Sequence, residues 1–253
     1  MIKRLPFFVL LLGLAINRAS HAASPEETIA RVKTSIVAVG TYLPTRAPQF
    51  NFRGTGFVVG DGTLIITNSH VLPTVLEDRE SIAVAVHVSG AQGAARVATR
   101  VANDPEHDLA VLRIQGSPLP ALEVKRSETV REGNNLFFTG YPMGTVLGLF
   151  PVTHRAMVSA LTPVAIPSRN SAQLDPKLIR RLSAAPLPIF QLDATAYPGS
   201  SGSPLYEPDT GAVVGVVNMG MLKGSKETAM TQPSGITYAI PSKWAEALLS
   251  EIP

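Results

Sequence analysis

The stretch RGTGFVVGDGTLIITNSHVL, residues 53–72, has the pattern of two β-strands joined by a tight turn. Apolar and β-branched residues dominate positions 57–59 and 64–66, and Gly60-Asp61-Gly62 lies between them. Such runs suit a pleated, half-buried sheet, and a glycine-rich connection suits a hairpin turn. The stretch therefore predicts an antiparallel hairpin, and with it a β-rich fold for this part of the chain.

Short runs of the same kind continue on both sides of the hairpin. Residues 81–90, SIAVAVHVSG, alternate between two sets of side chains, which indicates a strand with two different faces. Roughly twelve such segments fall into two groups, separated by a linker-like composition after Pro118–Pro120. We therefore expect two antiparallel β-barrels or a pair of β-sandwiches, the first unit over residues 23–120 and the second over residues 121–253.

Two short helices are expected at the ends of this all-β chain. In SPEETIARV, residues 24–32, Ser24 and Glu27 have capping-box spacing, and a proline occupies the first helical position. A terminal helix is expected within SKWAEALLSEI, residues 242–252, with Ser242 as its N-cap.

Residues 1–22 have the features of a secretory signal peptide. Two basic residues precede an apolar run from Leu5 to Ile16, and Ser20-His21-Ala22 follows as a small-residue segment. The apolar run is shorter than the ~20 residues that span a bilayer. We expect cleavage after Ala22 and no stable membrane insertion afterwards. An uncleaved anchor is the alternative, because Arg18 lies close to the cut.

Charge and composition exclude several classes of function. The chain has a net charge of +3, but its first 22 residues contain three basic residues and no acidic one, so the remainder is neutral. Basic charge therefore gives no reason to expect a nucleic-acid partner. The absence of cysteine excludes disulfides, thiolate metal sites and a cysteine nucleophile. The histidines are scattered and no nucleotide-binding loop is present, so we expect no metal and no cofactor.

Three polar residues beside predicted strands could together perform acyl transfer. His70 ends an apolar strand, Asp108 comes directly before another, and Ser201 lies between Gly199 and Gly202 in YPGSSGSPLY. Acyl transfer by a serine needs a base, a carboxylate that orients the base, and N–H donors for the oxyanion. Taken singly, each segment also fits a plain structural role: a capping histidine, a turn aspartate, or a glycine-serine surface turn. Their joint occurrence, in the order His, Asp, Ser, favours a catalytic site.

The chain resembles the trypsin-like serine proteases of the bacterial HtrA/Deg type. The segments that carry the resemblance are GTGFVV (54–59), ITNSHVL (66–72), DPEHDLAVLRI (104–114), GYPMG (140–144), VSAL (158–161), QLDATAYPGSSGSPL (191–205) and ITYAIP (236–241). The resemblance implies two six-stranded antiparallel β-barrels, with His70 and Asp108 in the first and Ser201 in the second. It further implies that His70 is the general base, Asp108 its orienting acid and Ser201 the nucleophile. The amides of Gly199 and Ser201 would form the oxyanion hole.

The resemblance also implies a specificity pocket. Its base would lie near Thr195, and its wall would be formed by Val217, Asn218 and Met219. Position 195 carries no acid, which argues against cleavage after arginine or lysine, and a small or medium apolar residue is expected instead. The wall segment contains no histidine, so the glutamate preference of the V8-like branch is not expected.

The resemblance implies an exported serine endopeptidase that acts on protein or peptide substrates. We expect it in the periplasm or secreted from the cell, with protein quality control as one setting. The alternative is a latent or non-catalytic member that acts as a binding or chaperone-like module. It stays open because Ser200 and Ser203 stand where relatives commonly have other residues. A trimer is expected only by family analogy, and no PDZ domain is expected because the chain ends at Pro253, after the terminal helix.

Overall fold

The structure, a computed structural model, describes residues 23–88, 91–163, 188–219 and 235–252. The signal peptide expected over residues 1–22 lies outside these ranges. Within them, helix α1 (Pro25–Lys33) precedes the sheets, α2 (Gly144–Leu147) is a single turn, and α3 (Ser242–Ser250) follows them. None of the described helices combines the length and the apolar character needed to cross a membrane.

Six strands form the first closed barrel. They are β1 (Ile36–Tyr42), β2 (Phe50–Val59), β3 (Leu64–Asn68), β4 (Ser81–Val88), β5 (Ala91–Asp104) and β6 (Leu109–Ile114). All pairs are antiparallel, and the barrel closes in the order β1-β2-β3-β6-β5-β4. The hairpin predicted from residues 53–72 is confirmed, with Phe57 opposite Ile66.

Six further strands form a second closed barrel. They are β7 (Asn135–Gly140), β8 (Val152–Pro163), β9 (Pro188–Asp193), β10 (Pro204–Tyr206), β11 (Val213–Asn218) and β12 (Ile236–Pro241). This barrel closes in the order β10-β11-β12-β9-β8-β7, again with antiparallel pairs. The expected all-β fold with two six-stranded barrels is confirmed, and the sandwich alternative is excluded.

Strand β1 shows how the sequence builds both a barrel core and a contact between barrels. Val37 and Val39 belong to the apolar cluster inside the first barrel. Ile36 and Ala38, on the other face, join a cluster that includes Tyr206 of the second barrel. Because side chains alternate along a strand, a continuous apolar run can be buried on both faces. The barrels are therefore joined through apolar surface, and polar loops at the ends of their strands can meet in a cleft.

The terminal helices each contact the barrel that is distant in sequence. The capping box predicted for α1 is present, and Arg31 on this helix donates a hydrogen bond to the carbonyl of Thr210 in the second barrel. Helix α3 packs on β5 and β6 of the first barrel as well as on β11. The prediction that Ser242 is the N-cap of α3 was wrong. Ser242 is the first helical residue, and its hydroxyl donates to the carbonyl of Lys125 at 2.5 Å instead.

Candidate active site

Strand pairing brings two of the predicted site residues together. Strands β3 and β6 are antiparallel, with Asn68 opposite Leu109, so the residues just beyond these positions are neighbours. His70 lies in a 3₁₀ turn that follows β3, and Asp108 directly precedes β6. The prediction that His70 ends the strand was wrong by two residues, because β3 ends at Asn68.

The side chains of His70, Asp108 and Ser201 form one hydrogen-bonded chain. The His70 Nδ1 lies 2.5 Å from the Asp108 Oδ2, and the His70 Nε2 lies 3.0 Å from the Ser201 Oγ. The side chains of His70 and Asp108 retain only 23% and 17% of their exposure. The structure thus brings together all three residues singled out for acyl transfer, in a site that is sheltered but open to a substrate.

The carboxylate of Asp108 is fixed from several directions. Its Oδ1 accepts the backbone N–H of His70 at 2.8 Å, and its Oδ2 also accepts the side-chain amide of Asn218 at 2.8 Å. Its backbone has φ of +54°, in the left-handed region, and its carbonyl accepts the side-chain amide of Asn68 at 3.0 Å. A non-glycine residue held in this region indicates a conformation that its surroundings impose. These bonds leave the carboxylate little freedom to turn away from His70.

The side chain of Asn218, a residue expected in the wall of the specificity pocket, donates a hydrogen bond to the carboxylate of Asp108. It lies at the end of β11, and its bond to Asp108 spans 110 residues of sequence. Local sequence patterns carry no signal for such a contact, because it depends on how the two barrels dock.

The loop that carries Ser201 connects β9 to β10 and turns sharply at the serine. Gly199 and Gly202 have φ of +99° and +87°, which side-chain-bearing residues rarely adopt. Ser200 N–H donates to the carbonyl of Tyr197 at 2.9 Å, which closes the turn just before the nucleophile. Within the described ranges, no acceptor takes up the amides of Gly199 and Ser201. These amides are therefore available to an oxyanion.

Thr55 on β2 anchors this loop across the barrel interface, a role that the sequence did not reveal. Its N–H donates to the carbonyl of Ser201 at 2.8 Å, and its hydroxyl donates to the carbonyl of Gly199 at 2.7 Å. The same hydroxyl accepts the N–H of Tyr141 at 3.0 Å. Thr55 is fully buried, so these bonds are shielded from water. The first barrel thereby holds the nucleophile of the second in register with His70.

The other residues expected in the specificity pocket differ in their surroundings. Thr195 is half-buried in the segment before the nucleophile loop. Met219 packs against the core of the second barrel, and its N–H lies 3.3 Å from the Ser201 Oγ. Val217 is fully buried in that core, and its carbonyl accepts the N–H of Gly202 at 2.9 Å. Val217 therefore supports the nucleophile loop through its backbone, while its side chain belongs to the barrel core.

A second histidine lies near the nucleophile loop without joining the triad. The ring of His154 stacks on Phe138 with centroids 4.8 Å apart, and the ring of Tyr197 is 6.4 Å away. Burial lowers the pKa of His154 below its usual value. Its imidazole is therefore neutral at neutral pH and packs as an aromatic side chain.

A further imidazole–carboxylate pair lies beside Asp108. The His107 Nδ1 is 2.5 Å from the Asp104 Oδ2, and the His107 ring stacks on Trp244 of α3 with centroids 3.8 Å apart. Because His107 precedes Asp108, this stack connects the terminal helix to the loop that positions the orienting acid.

Replacement of Trp244 by alanine is expected to lower kcat roughly tenfold, since small displacements of catalytic groups are costly in rate. The Michaelis constant should change little, because the stack acts through Asp108 and His70. Trp244→Phe, which keeps an aromatic surface for His107, should restore most of kcat. Steady-state kinetics of the folded variants measures this. A loss of thermal stability with unchanged kcat would show that the stack only supports the fold.

Comparisons with known proteins find similar sequences and a matching family. The family described as trypsin-like peptidase domain matches residues 54–216. A probable periplasmic serine endoprotease DegP-like protein of Chlamydia pneumoniae is 32% identical over 200 residues, which cover 79% of this chain and 34% of the relative. The mitochondrial serine protease HTRA2 of Bos taurus is 34% identical over 190 residues, covering 75% of this chain and 34% of the relative.

Solved structures show the same likeness. An HtrA-type protease, AlgW, solved with a decapeptide, superposes with a TM-score of 0.63 at 25% identity, covering 90% of this chain and 67% of the other. The chain spans about a third of the length of the curated relatives it matches. The family match over residues 54–216 includes strands of both barrels and all three residues of the hydrogen-bonded chain, His70, Asp108 and Ser201.

Proposed function

Because the chain belongs to the family of trypsin-like peptidase domains, we propose that it is a serine endopeptidase that cleaves protein or peptide substrates. The observation that carries this proposal is the hydrogen-bonded chain from Asp108 through His70 to Ser201. No other arrangement among the described residues combines a hydroxyl, a base and an orienting acid in this way.

The proposed reaction proceeds in two halves. His70 takes the proton of the Ser201 hydroxyl as the oxygen attacks the substrate carbonyl carbon, and the amides of Gly199 and Ser201 stabilise the oxyanion. His70 then delivers the proton to the leaving amine, and an acyl-enzyme remains on Ser201. Water, deprotonated by His70, attacks the ester, and Ser201 regains its proton as the acid product leaves. Asp108 holds the imidazole in the tautomer that can accept the proton and stabilises the imidazolium.

The pocket for the residue before the cleaved bond is proposed to lie between Thr195 and Met219. The half-buried Thr195 and the apolar packing of Met219 support this assignment. Because no acid occupies position 195, a small or medium apolar substrate residue is the proposed preference.

The proposed setting is the periplasm or the exterior of the cell. It is supported by the signal-like composition of residues 1–22 and by the periplasmic DegP-like names of relatives. Protein quality control and assembly as a trimer belong to the same proposal and rest on analogy with the HtrA type.

Labelling of the purified protein with a fluorophosphonate, followed by intact-mass measurement, tests the proposed function. We expect one adduct on the wild-type protein, none on Ser201→Ala, and one on Ser203→Ala, because an activated nucleophile needs His70 within hydrogen-bond distance. An adduct that persists on Ser201→Ala would assign the nucleophile elsewhere. No adduct on folded wild-type protein would contradict an active endopeptidase and favour the latent or binding module.

A further inference from the structure

Strand β2 contains a β-bulge beside the candidate active site. Val39 of β1 pairs with Gly54, whereas the next residue, Gly40, pairs with Phe52, so Arg53 is an extra residue on β2 without a partner across the ladder. A bulge redirects the side chain of the extra residue, and bulges are over-represented next to active sites. The side chain that this bulge redirects is a permanent cation.

The guanidinium of Arg53 is fixed against the turn that carries the general base. Its Nε donates to the carbonyl of Val71, the residue after His70, at 2.6 Å. Arg53 is exposed, and it takes part in no ion pair among the residues that the structure describes. The other N–H donors of its planar fork therefore remain available for a bidentate carboxylate.

The position of Arg53 identifies which part of a substrate it would meet. A Cβ at the adjacent Gly54 would lie 2.7 Å from the Val71 side chain and 3.1 Å from the carbonyl oxygen of Ser201. Strand β2 therefore passes between the turn of His70 and the nucleophile loop. In acyl transfer the acyl half of the substrate stays on the serine, whereas the leaving amine departs next to the imidazole that protonates it. Arg53 is anchored on the imidazole side, which is the side of the leaving peptide.

We propose that Arg53 selects substrates with an acidic residue, Asp or Glu, in the first or second position after the scissile bond. This inference rests on the proposed peptidase function and adds to it a substrate class. The substrate carboxylate would pair with the remaining N–H donors of the Arg53 guanidinium. Because the bulge and the Val71 carbonyl already hold this side chain in place, Arg53 loses little conformational freedom on binding.

Peptides that differ only after the cleaved bond test this inference. Internally quenched peptides carry Glu, Gln or Lys, in turn, at the first or at the second position after the scissile bond. We expect wild-type kcat/KM to be roughly five- to tenfold higher for Glu than for Gln, and the ratio to decrease with added salt. Arg53→Gln should reduce this ratio to about one, Arg53→Lys should keep part of it, and Arg53→Glu should reverse the preference toward Lys.

A control variant separates recognition from a general change of charge. Arg100→Gln removes the same charge from an exposed position on β5 of the same barrel, and it should leave the ratio of Glu to Gln at the wild-type value. If Arg53→Gln slows all three peptides equally, Arg53 only supports the turn of His70 and the inference is overturned. The same conclusion follows if Arg53→Glu fails to favour Lys.

Binding to the Ser201→Ala protein distinguishes failure of this inference from failure of the proposed function. Fluorescence anisotropy with dye-labelled peptides measures Kd without turnover. Tighter binding of the Glu peptide, lost in Ser201→Ala/Arg53→Gln, supports the acidic site even if the wild-type protein cleaves nothing. Equal Kd values for Glu and Gln peptides, or no saturable binding, overturn it even if cleavage occurs.

Discussion

Asp108→Asn is expected to lower kcat by about 10⁴-fold while the protein remains folded. In the native site the Asp108 Oδ2 accepts N–H groups from both His70 and Asn218. An asparagine amide placed there would donate to His70 Nδ1 and so favour the tautomer with the proton on Nε2. That nitrogen could then no longer accept the proton of Ser201. Steady-state kinetics, with circular dichroism as a check of folding, measures the effect.

Asp104→Asn provides the matched control, because it makes the same chemical change at the end of β5, where the loop that carries Asp108 begins. Asp104 pairs with His107 and contacts the triad only through the neighbouring residues. Its replacement should cause no more than the roughly tenfold loss expected for Trp244→Ala. An Asp108→Asn variant within tenfold of wild-type activity would remove Asp108 from the catalytic chain.

The barrels could be predicted from sequence because strand formation depends on local alternation. The apolar runs around Gly60-Asp61-Gly62 specify two strands and their turn without reference to distant residues. The positions of His70, Asp108 and Ser201 next to strands followed from the same patterns, together with the resemblance to known proteases. The proximity of His70 and Asp108 is a property of strand pairing that these patterns imply, whereas the approach of Ser201 to His70 depends on how the two barrels dock.

Contacts that depend on docking of the two barrels could not be predicted in this way. Asn218 reaches Asp108 across 110 residues, and the hydroxyl of Thr55 reaches Gly199 across 144. Either residue would be equally compatible with its strand if the barrels were rotated relative to each other. Ser242 shows a similar limit. Helix rules predict it as an N-cap, but its hydroxyl donates a hydrogen bond to the carbonyl of Lys125, in the segment that connects the two barrels.

Gly202→Ala tests whether this docking determines activity. Gly202 has φ of +87°, and a Cβ there would lie 2.0 Å from the carbonyl oxygen of Thr55. Since that contact is with backbone, relief requires the nucleophile loop to move away from the first barrel. We expect the free energy of unfolding to decrease by about 3 to 5 kcal/mol, from backbone strain and overpacking together. We also expect kcat/KM to fall by about 10²-fold or more, because Ser201 would move relative to His70.

Gly133→Ala separates backbone strain from the contact between barrels. Gly133 has the same φ of +87°, but a Cβ there would meet nothing within 4 Å. Both variants therefore share the left-handed strain, about 1 to 2 kcal/mol, and the same stiffening of the unfolded chain. The difference between their urea-unfolding free energies isolates the clash with Thr55. Equal destabilisation of the two variants would mean that the nucleophile loop can move away from Thr55 without a loss of unfolding free energy. The close approach of Gly202 to the first barrel would then have no part in holding Ser201 near His70.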